Sequence, residues 1–370
     1  MGVDAYLLLY KNEISHFLPE NDTLKIEEWS EYIVQTCIPN GGKEFLFGNI
    51  NSFRNELVGY DAYVANGIAP ALFYRLGIRL SIFAPYGEGI EHIIDSKFII
   101  SNLLRSFLRI IIRRWQILGL RFNTSVIISA NLHNFATKTA TRYRLPSTIT
   151  EFFPMVFVEN SIDINEITKI SKQVERMKSS NMVVLSHVSH IWKTLPSYHL
   201  DSWPGKGNDI LIRGFAKYLE ISKKADSVLC LFEYGIDVDN SKKLISELRI
   251  NDNVIWFPLL SRKEILGILP LVNIGGSEFS GEMWGGCGWE FITSGVPMFH
   301  RLDHADRYEN AGLVLPKFFN VNNDDDIARV LLNWTLTEQN KTRRELINWA
   351  NSYQNEALAK KWLEILKRVQ

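Results

Sequence analysis

The stretch LVNIGGSEFSGEMWGGCGWEFITSGVPMFH, Leu271 to His300, decides how the second half of this chain folds. It opens on an apolar strand pattern, Leu271 to Ile274, and passes through the loop GGSEFS. Ten residues follow, Gly281 to Glu290, with two tryptophans, four glycines and two glutamates. An apolar helical run, CGWEFITSG, then stops at Gly295 ahead of a second strand pattern, VPMFH. The glycines therefore sit where a helix begins, at the carboxyl edge of a parallel sheet, and that edge is where open α/β sheets bind ligands. Helix-start N–H groups bared by glycine suit an anionic oxygen such as a phosphate. Glu282 precedes the helix and Glu290 lies one or two turns into it, so the two carboxylates flank whatever the glycines hold. A nucleotide sugar has that layout, a diphosphate between two hydroxyl-rich rings.

Upstream of this block the pattern is regular from Met182 onward. Strand MVVLSHVS leads to helix GNDILIRGFAKYLEI, strand SVLCLFEYG, helix NSKKLISELRI, strand NVIWFPLL and helix RKEILGIL. Alternation of short β-branched runs with helical patterns predicts a doubly wound α/β domain. Between the first strand and first helix runs HIWKTLPSYHLDSWPGKG, long for a loop in a compact domain and so a candidate for function. The first half predicts strands over Ala5–Leu9, Tyr60–Ala65, Leu80–Ala84 and Ser125–Ala130, and a helix in the Ser96–Leu118 region. At 370 residues two domains are expected. We place them at 1–178 and 179–352, with a C-terminal helix over 353–370 packing back on the first domain.

The composition, 46% hydrophobic and 22% charged, is that of a globular protein able to bury sizeable cores. Cys37, Cys230 and Cys287 lie far apart without paired spacing, which argues against a zinc site or a disulfide framework and fits a cytoplasmic protein. MGVDAYLLLYKNE reads as a short buried strand rather than a signal peptide, and no segment has the apolar length needed to span a bilayer. Acidic and basic residues balance at 41 each, but no Asp or Glu occurs between Ser96 and Thr150. Lys97, Arg105, Arg109, Arg113, Arg114, Arg121, Lys138, Arg142 and Arg144 all fall in that window, so one face of the first half should be electropositive.

The block E-M-W-G-G-C-G-W-E-F-I-T-S-G-V-P resembles the E-x-F-G-x-x-x-x-E-x-x-x-x-G-x-P signature of the group 1 glycosyltransferases, glycosyltransferase family 4. PGKGNDILIRGFA and SELRINDNVIWFPLLSRKEI resemble two further segments of that family in the same order, so the likeness covers most of 180–370. The resemblance implies a GT-B fold, two Rossmann-like doubly wound domains facing across a cleft, with the nucleotide-sugar donor on the second. By position, Glu282 would contact the donor sugar as a catalytic residue and Glu290 the ribose. The backbone of Trp284, Gly285 and Gly286 would meet the sugar and diphosphate, and Lys206 would pair with the diphosphate. No metal or other cofactor is implied, since Lys206 and the helix start would stabilise the leaving diphosphate. The expected outcome is transfer with retention, through an oxocarbenium-like transition state. The family's phosphate-site arginine is absent, and Ser189 or His190 stands in its place, with His190 and Lys193 as candidate donor-binding substitutes. A histidine carries full charge only below its pKa.

The first half is less readable, and the family's opening strand and glycine-rich acceptor loop are not recognisable near Met1. That domain reads as shortened or divergent. YDAYVANGIAPALFYRLGIRLSIFAPYGEGIE resembles the acceptor-side region, which places Tyr86, Gly87 and Glu88 in the cleft. Glu88 could orient or deprotonate an acceptor hydroxyl, or simply be solvated. In FIISNLLRSFLRIIIRRWQILGLRF, Arg105, Arg109 and Arg113 share one helix face. Ile100, Leu103, Leu104, Phe107, Leu108, Ile111, Trp115 and Leu118 form a broad apolar one. Such a helix can lie on an anionic membrane, here the inner face of the plasma membrane, or pack in a core with its arginines solvated. No nucleic-acid motif accompanies the basic residues. The sequence points to a retaining glycosyltransferase moving a sugar from a nucleoside diphosphate to a hydroxyl of a glycan or lipid-linked glycan. A non-catalytic GT-B subunit binding nucleotide or glycan, and a sugar-nucleotide epimerase, remain alternatives. His133 and His187 read as structural histidines, and Trp289 as core packing.

Overall fold

The computed structural model describes the chain apart from residues 1–2, 14–17, 22–25, 40–41, 86–102, 131–133, 153–162, 195–204, 225, 354 and 370. It divides into two compact units. The first comprises Met1–Glu20, Leu24–Phe153 and Leu358–Gln370, and the second Asn21–Thr23 and Pro154–Ala357. Among the described residues no helix is long and apolar enough to cross a membrane.

The first unit carries two parallel sheets. Strands β1 (Leu7–Leu9) and β2 (Ile33–Gln35) pair with each other, and β3 (Val64–Ala65), β4 (Leu80–Phe83), β5 (Thr124–Ile128) and β6 (Thr148–Ile149) run side by side in that order. The helix Ala69–Leu76 buries Leu72, Phe73 and Leu76 against Leu80, Phe83 and Ile127. It crosses the helix Leu103–Leu118 and the turn after it so closely that a Cβ on Gly119 would fall 1.9 Å from the Pro70 carbonyl oxygen, so only glycine fits there. At the same crossing, buried Gln116 accepts from Ala71 N at 3.0 Å and donates to the Gly67 carbonyl at 2.9 Å, serving backbone groups at the start of the neighbouring helix. The helix Asn355–Val369 lays Trp362, Ile365, Leu366 and Val369 on Ile82, Val126 and Ile128, and Lys361 reaches Glu151 at 3.0 Å.

The helix Leu103–Leu118 departs from its expected apolar face at Phe107, while Ile100 and the side chains of Leu103 and Leu104 lie outside the described residues. Leu108, Ile111, Ile112 and Trp115 pack on the core, but Phe107 is 58% exposed. Phe107 lies about 100° round the helix from Leu108, at the edge of the stripe the core can cover. Arg113 donates to the Tyr143 hydroxyl at 2.8 Å, and the side chain of Arg105 lies outside the described residues.

The second unit is a six-stranded parallel sheet in the order β12-β11-β10-β7-β8-β9. Its strands are β7 (Met182–Ser186), β8 (Ser227–Phe232), β9 (Val254–Phe257), β10 (Ile274–Gly276), β11 (Met298–His300) and β12 (Phe319–Asn320). Strands β7 and β8 are buried at every position because helices cover both faces. On one face Leu211, Ile212, Phe215 and Tyr218 of the helix Asn208–Ser222 pack with Ile327, Ala328 and Leu331 of the helix Asp324–Leu332 over Val184, Leu229 and Ile274. The division between units falls near residue 153 rather than 178. Residues 163–178 pack on the second unit, where Val174 and Met177 are buried, Lys169 pairs with Glu264 at 2.9 Å, and Arg176 donates to the Asp252 carbonyl.

Candidate functional site

The strand order of the second unit places its site. The chain winds outward through β7, β8 and β9, then returns to the other side of β7 as β10 and winds away through β11 and β12. Loops leaving β7 and β10 must therefore diverge, and the gap between them is the switch point where doubly wound sheets bind ligands. His187 is the first residue beyond β7, and Ser277 and Glu278 the first beyond β10. The glycine block follows within a few residues.

The loop after β10 is tied down before it reaches the helix. Gly281 has φ +86°, bridges to Leu302 and accepts from Asp303 N at 2.9 Å, and a Cβ there would strike the Asp303 carboxylate at 2.4 Å. His300 Nε2–H donates to the Glu282 carbonyl at 2.9 Å. Burial of His300 lowers its pKa to about 4, so the ring is neutral. Trp284 is buried, edge-on to Trp289, His300 and Phe318 with ring centroids 5.7–5.9 Å away. Its side chain is thus packing, and Trp289 stacks on Trp349. These anchors present the main chain of Gly285 and Gly286 at the start of the helix Gly286–Thr293. Among the described residues nothing beyond its chain neighbours and its own helix backbone lies within 4 Å of where a Gly286 Cβ would be, so the helix start is open there to a close approach.

Lys206 arrives at the same edge on the segment before the helix Asn208–Ser222. Its backbone bonds to the Ile191 carbonyl at 2.6 Å and to Phe279 N at 3.0 Å, and its amine meets Glu278 Oε1 at 2.8 Å. Burial opposes both charges, yet the pairing outweighs it, so the Lys206 pKa is raised and that of Glu278 lowered.

Glu290 differs from expectation. It is only 3% exposed, its Oε1 accepts from Arg262 Nε at 3.1 Å, and its Oε2 lies against His187 Nε2. It is therefore not an open carboxylate awaiting a ribose. Burial would raise its pKa, but His187 and Arg262 hold it below the usual carboxylate range. Arg262 is placed by a capping box, in which Glu264 Oε2 accepts from Ser261 N at 2.8 Å and from its hydroxyl at 2.9 Å, so the helix Arg262–Ile268 starts on the arginine. Burial disfavours the His187 cation, but Cys287 and Glu290 beside it raise its pKa to about 10. His187, Cys287 and Glu290 offer ligand atoms within 4.8 Å of one another. The cationic Arg262 on the same carboxylate argues against a metal ion there, because it already supplies the balancing charge.

His190 does not replace the absent arginine. It is fully buried, its Nδ1 meets Ser241 Oγ at 2.7 Å, and burial lowers its pKa to about 4. Trp192 Nε1 donates to the same hydroxyl at 2.9 Å, and the lowered pKa leaves the His190 ring neutral. Lys193 is exposed, with its amine 3.3 Å from Asn240 Oδ1. Its backbone N–H, with those of Trp192 and Thr194, converges on Asp237 Oδ2 at 2.8–2.9 Å. Burial would raise the Asp237 pKa, and these three bonds hold it at about 2. Tyr86, Gly87, Glu88 and His133 lie outside the described residues. The structure thus gathers Lys206, Glu282, Gly285, Gly286 and Glu290 at one edge. It adds Arg262 and Glu278, which the sequence reading did not single out although the end of β10 marks one of them, and it pairs His187, read as structural, with Glu290.

No protein-family model and no curated protein matches the sequence. Solved structures do. The HepE protein of Anabaena in complex with UDP is similar over 98% of this chain and 100% of its own, at 14% identity and a TM-score of 0.57. Sucrose-phosphate synthase from Thermosynechococcus elongatus matches over 91% and 82% at 13% identity, TM-score 0.54. WaaG, a glycosyltransferase involved in lipopolysaccharide biosynthesis, matches over 90% and 86% at 13% identity, TM-score 0.51.

The buried His187 makes a pH test available. Its pKa in the folded protein, about 10, lies above the ordinary 6.5, so the folded state holds the proton more tightly. The stabilisation is complete below about pH 6.5 and lost as pH rises through about 10. Urea unfolding should show stability falling between pH 7 and 10 by up to about 1.4 kcal/mol per pH unit from this group, and His187→Gln should flatten that fall. An identical slope in the variant would contradict the buried His187–Glu290 pair. With its parallel sheets and these structural neighbours, the chain has the GT-B fold of two Rossmann-like units.

Proposed function

We propose that the chain is a retaining glycosyltransferase that moves a sugar from a nucleoside-diphosphate donor to a hydroxyl of a glycan or lipid-linked glycan, in the synthesis of cell-surface polysaccharide or glycoconjugate. The observation that carries this reading is the bare main chain of the helix start, open at Gly286 and met by Glu278 at Gly285, beside Lys206 and at the switch point of a parallel sheet. The similar HepE structure holds UDP.

In this reading Lys206 and the N–H groups of Gly286 and its neighbours face the diphosphate. As the bond to the anomeric carbon breaks, negative charge grows on the departing phosphate, and a fixed cation and fixed dipoles stabilise it there more than in the ground state. Glu282, partly exposed and held through its carbonyl by His300, meets the donor sugar. Glu290 keeps Arg262 and His187 fixed under the helix start, and a ribose contact at its carboxylate requires that pairing to open. Lys206 and the helix dipole together supply charge stabilisation that other folds take from a divalent ion.

The test begins with a screen of nucleotide sugars by thermal shift, since a ligand bound only to the folded state raises apparent stability. With the donor found, Glu282→Ala should lower transfer by at least about a hundredfold while leaving the unfolding midpoint within a few degrees of wild type. Wild-type turnover in that variant would sink the assignment. Donor binding with neither hydrolysis nor transfer to any acceptor would support the non-catalytic binding subunit, and an epimerised free nucleotide sugar would support the epimerase.

We further infer an anionic membrane surface as a partner. Phe107, Ile110 and Phe122 are exposed beside Arg114 and Arg121, in a stretch free of acidic residues. Apolar rings among arginines match the boundary between lipid headgroups and acyl chains. Co-sedimentation with vesicles of anionic lipid at low salt should retain the wild-type protein, and Phe107→Ser with Phe122→Ser should release most of it. Equal binding by the variant, or none by wild type, contradicts the inference.

A further inference from the structure

We propose that Glu278 is a built-in competitor for the donor's phosphates. In the free protein its carboxylate occupies Lys206 and stands beside Gly285, and donor binding is an exchange of one anion for another. The proposal rests on the nucleotide-sugar reading above and adds to it a residue that the E-x7-E signature does not contain.

The geometry is specific. Glu278 Oε1 lies 2.8 Å from Lys206 Nζ, with the two side chains 17% and 23% exposed. The same oxygen lies 3.6 Å from where a Gly285 Cβ would stand, and among the described residues no other atom beyond its chain neighbours comes within 4 Å of that point. Glu278 thus reaches across the residue that caps the helix Gly286–Thr293 and places its negative charge near the positive end of that helix. A phosphate bound to Lys206 and to the same N–H groups would need that space.

Physical chemistry explains why an acid stands there. A lysine with most of its surface buried needs an anion, and a free site has no phosphate to provide one. Glu278 supplies it. A diphosphate and a carboxylate on one lysine repel, strongly so where water is scarce. The backbone of Glu278 is pinned, its carbonyl accepting from Arg301 N at 3.1 Å and the next residue, Phe279, donating to the Lys206 carbonyl at 3.0 Å. The main chain therefore stays while the side chain rotates about its own bonds. Of the other titratable groups near it, buried His300 acts on the carboxylate less than Lys206 does. After transfer, the returning carboxylate re-pairs with Lys206 and favours departure of the nucleoside diphosphate.

Isothermal titration of the full chain with UDP, with inorganic diphosphate and with uridine tests the exchange. Glu278→Gln keeps the side-chain shape without the charge, and Glu278→Ser serves if the amide variant does not fold. Either variant should bind UDP and inorganic diphosphate about tenfold more tightly than wild type, with uridine unchanged, because one like-charge repulsion is removed. Unchanged or weaker UDP binding in the variants, with wild type binding normally, overturns the proposal and leaves the nucleotide-sugar reading standing. Failure of wild type and variants alike to bind UDP or diphosphate would remove that reading, and this proposal with it.

Discussion

A parallel sheet that winds both ways from one strand cannot close its carboxyl edge at the point of reversal. In this chain that strand is β7, with β8 on one side and β10 on the other. The chain leaves β7 toward one face and β10 toward the other, and the space between their ends stays unfilled by either crossover. Every group assigned to the site is there because it lies just beyond β7 or β10 or on an element that packs against those ends. The glycines follow from the same constraint. The loop from β10 must turn sharply at Gly281 and then offer bare main chain at Gly285 and Gly286.

The second feature of the edge is its charge. Arg262 and His187 meet Glu290 in the interior, and Lys206 meets Glu278 nearer the surface. Burying ions is costly unless each has a partner, and removing one partner from a buried pair costs about 3–5 kcal/mol. The two clusters differ in what they can do. Glu290 has an ion on each oxygen and almost no exposed surface, so it fixes structure. Glu278 shares a partly exposed lysine and lies over an open helix start, so it can yield to a stronger anion.

Much of the second unit was legible in the sequence because each of its signals agrees with the others. The β-branched runs, the positions of Gly207 and Gly295, and the order of the segments around Glu282 all specify one doubly wound sheet. What could not be read were pairings across long separations. Glu290 and His187 are 103 residues apart, and nothing local in either distinguishes a buried ion pair from a ribose ligand. His190 read as a candidate phosphate group because it stands where the resembling family has an arginine, but Ser241 and Trp256 pack against it. The first unit was harder to read because no ordered set of segments like those around Glu282 fixes its strands, which at two to five residues are as short as several in the second unit. Phe107 also misled, since helical periodicity identifies an apolar stripe but not how far round the helix the core reaches.

The central claim is that the helix start at Gly285–Gly286 and Lys206 together bind the phosphates of a nucleotide. Amide hydrogen exchange of the full chain with and without saturating UDP tests it most directly, because it reports each backbone segment separately. The account predicts slowed exchange at 205–208 and 285–290, with β8 and β9 unchanged. Exchange unaltered in those two segments while UDP is demonstrably bound, or protection confined to the first unit, would contradict it.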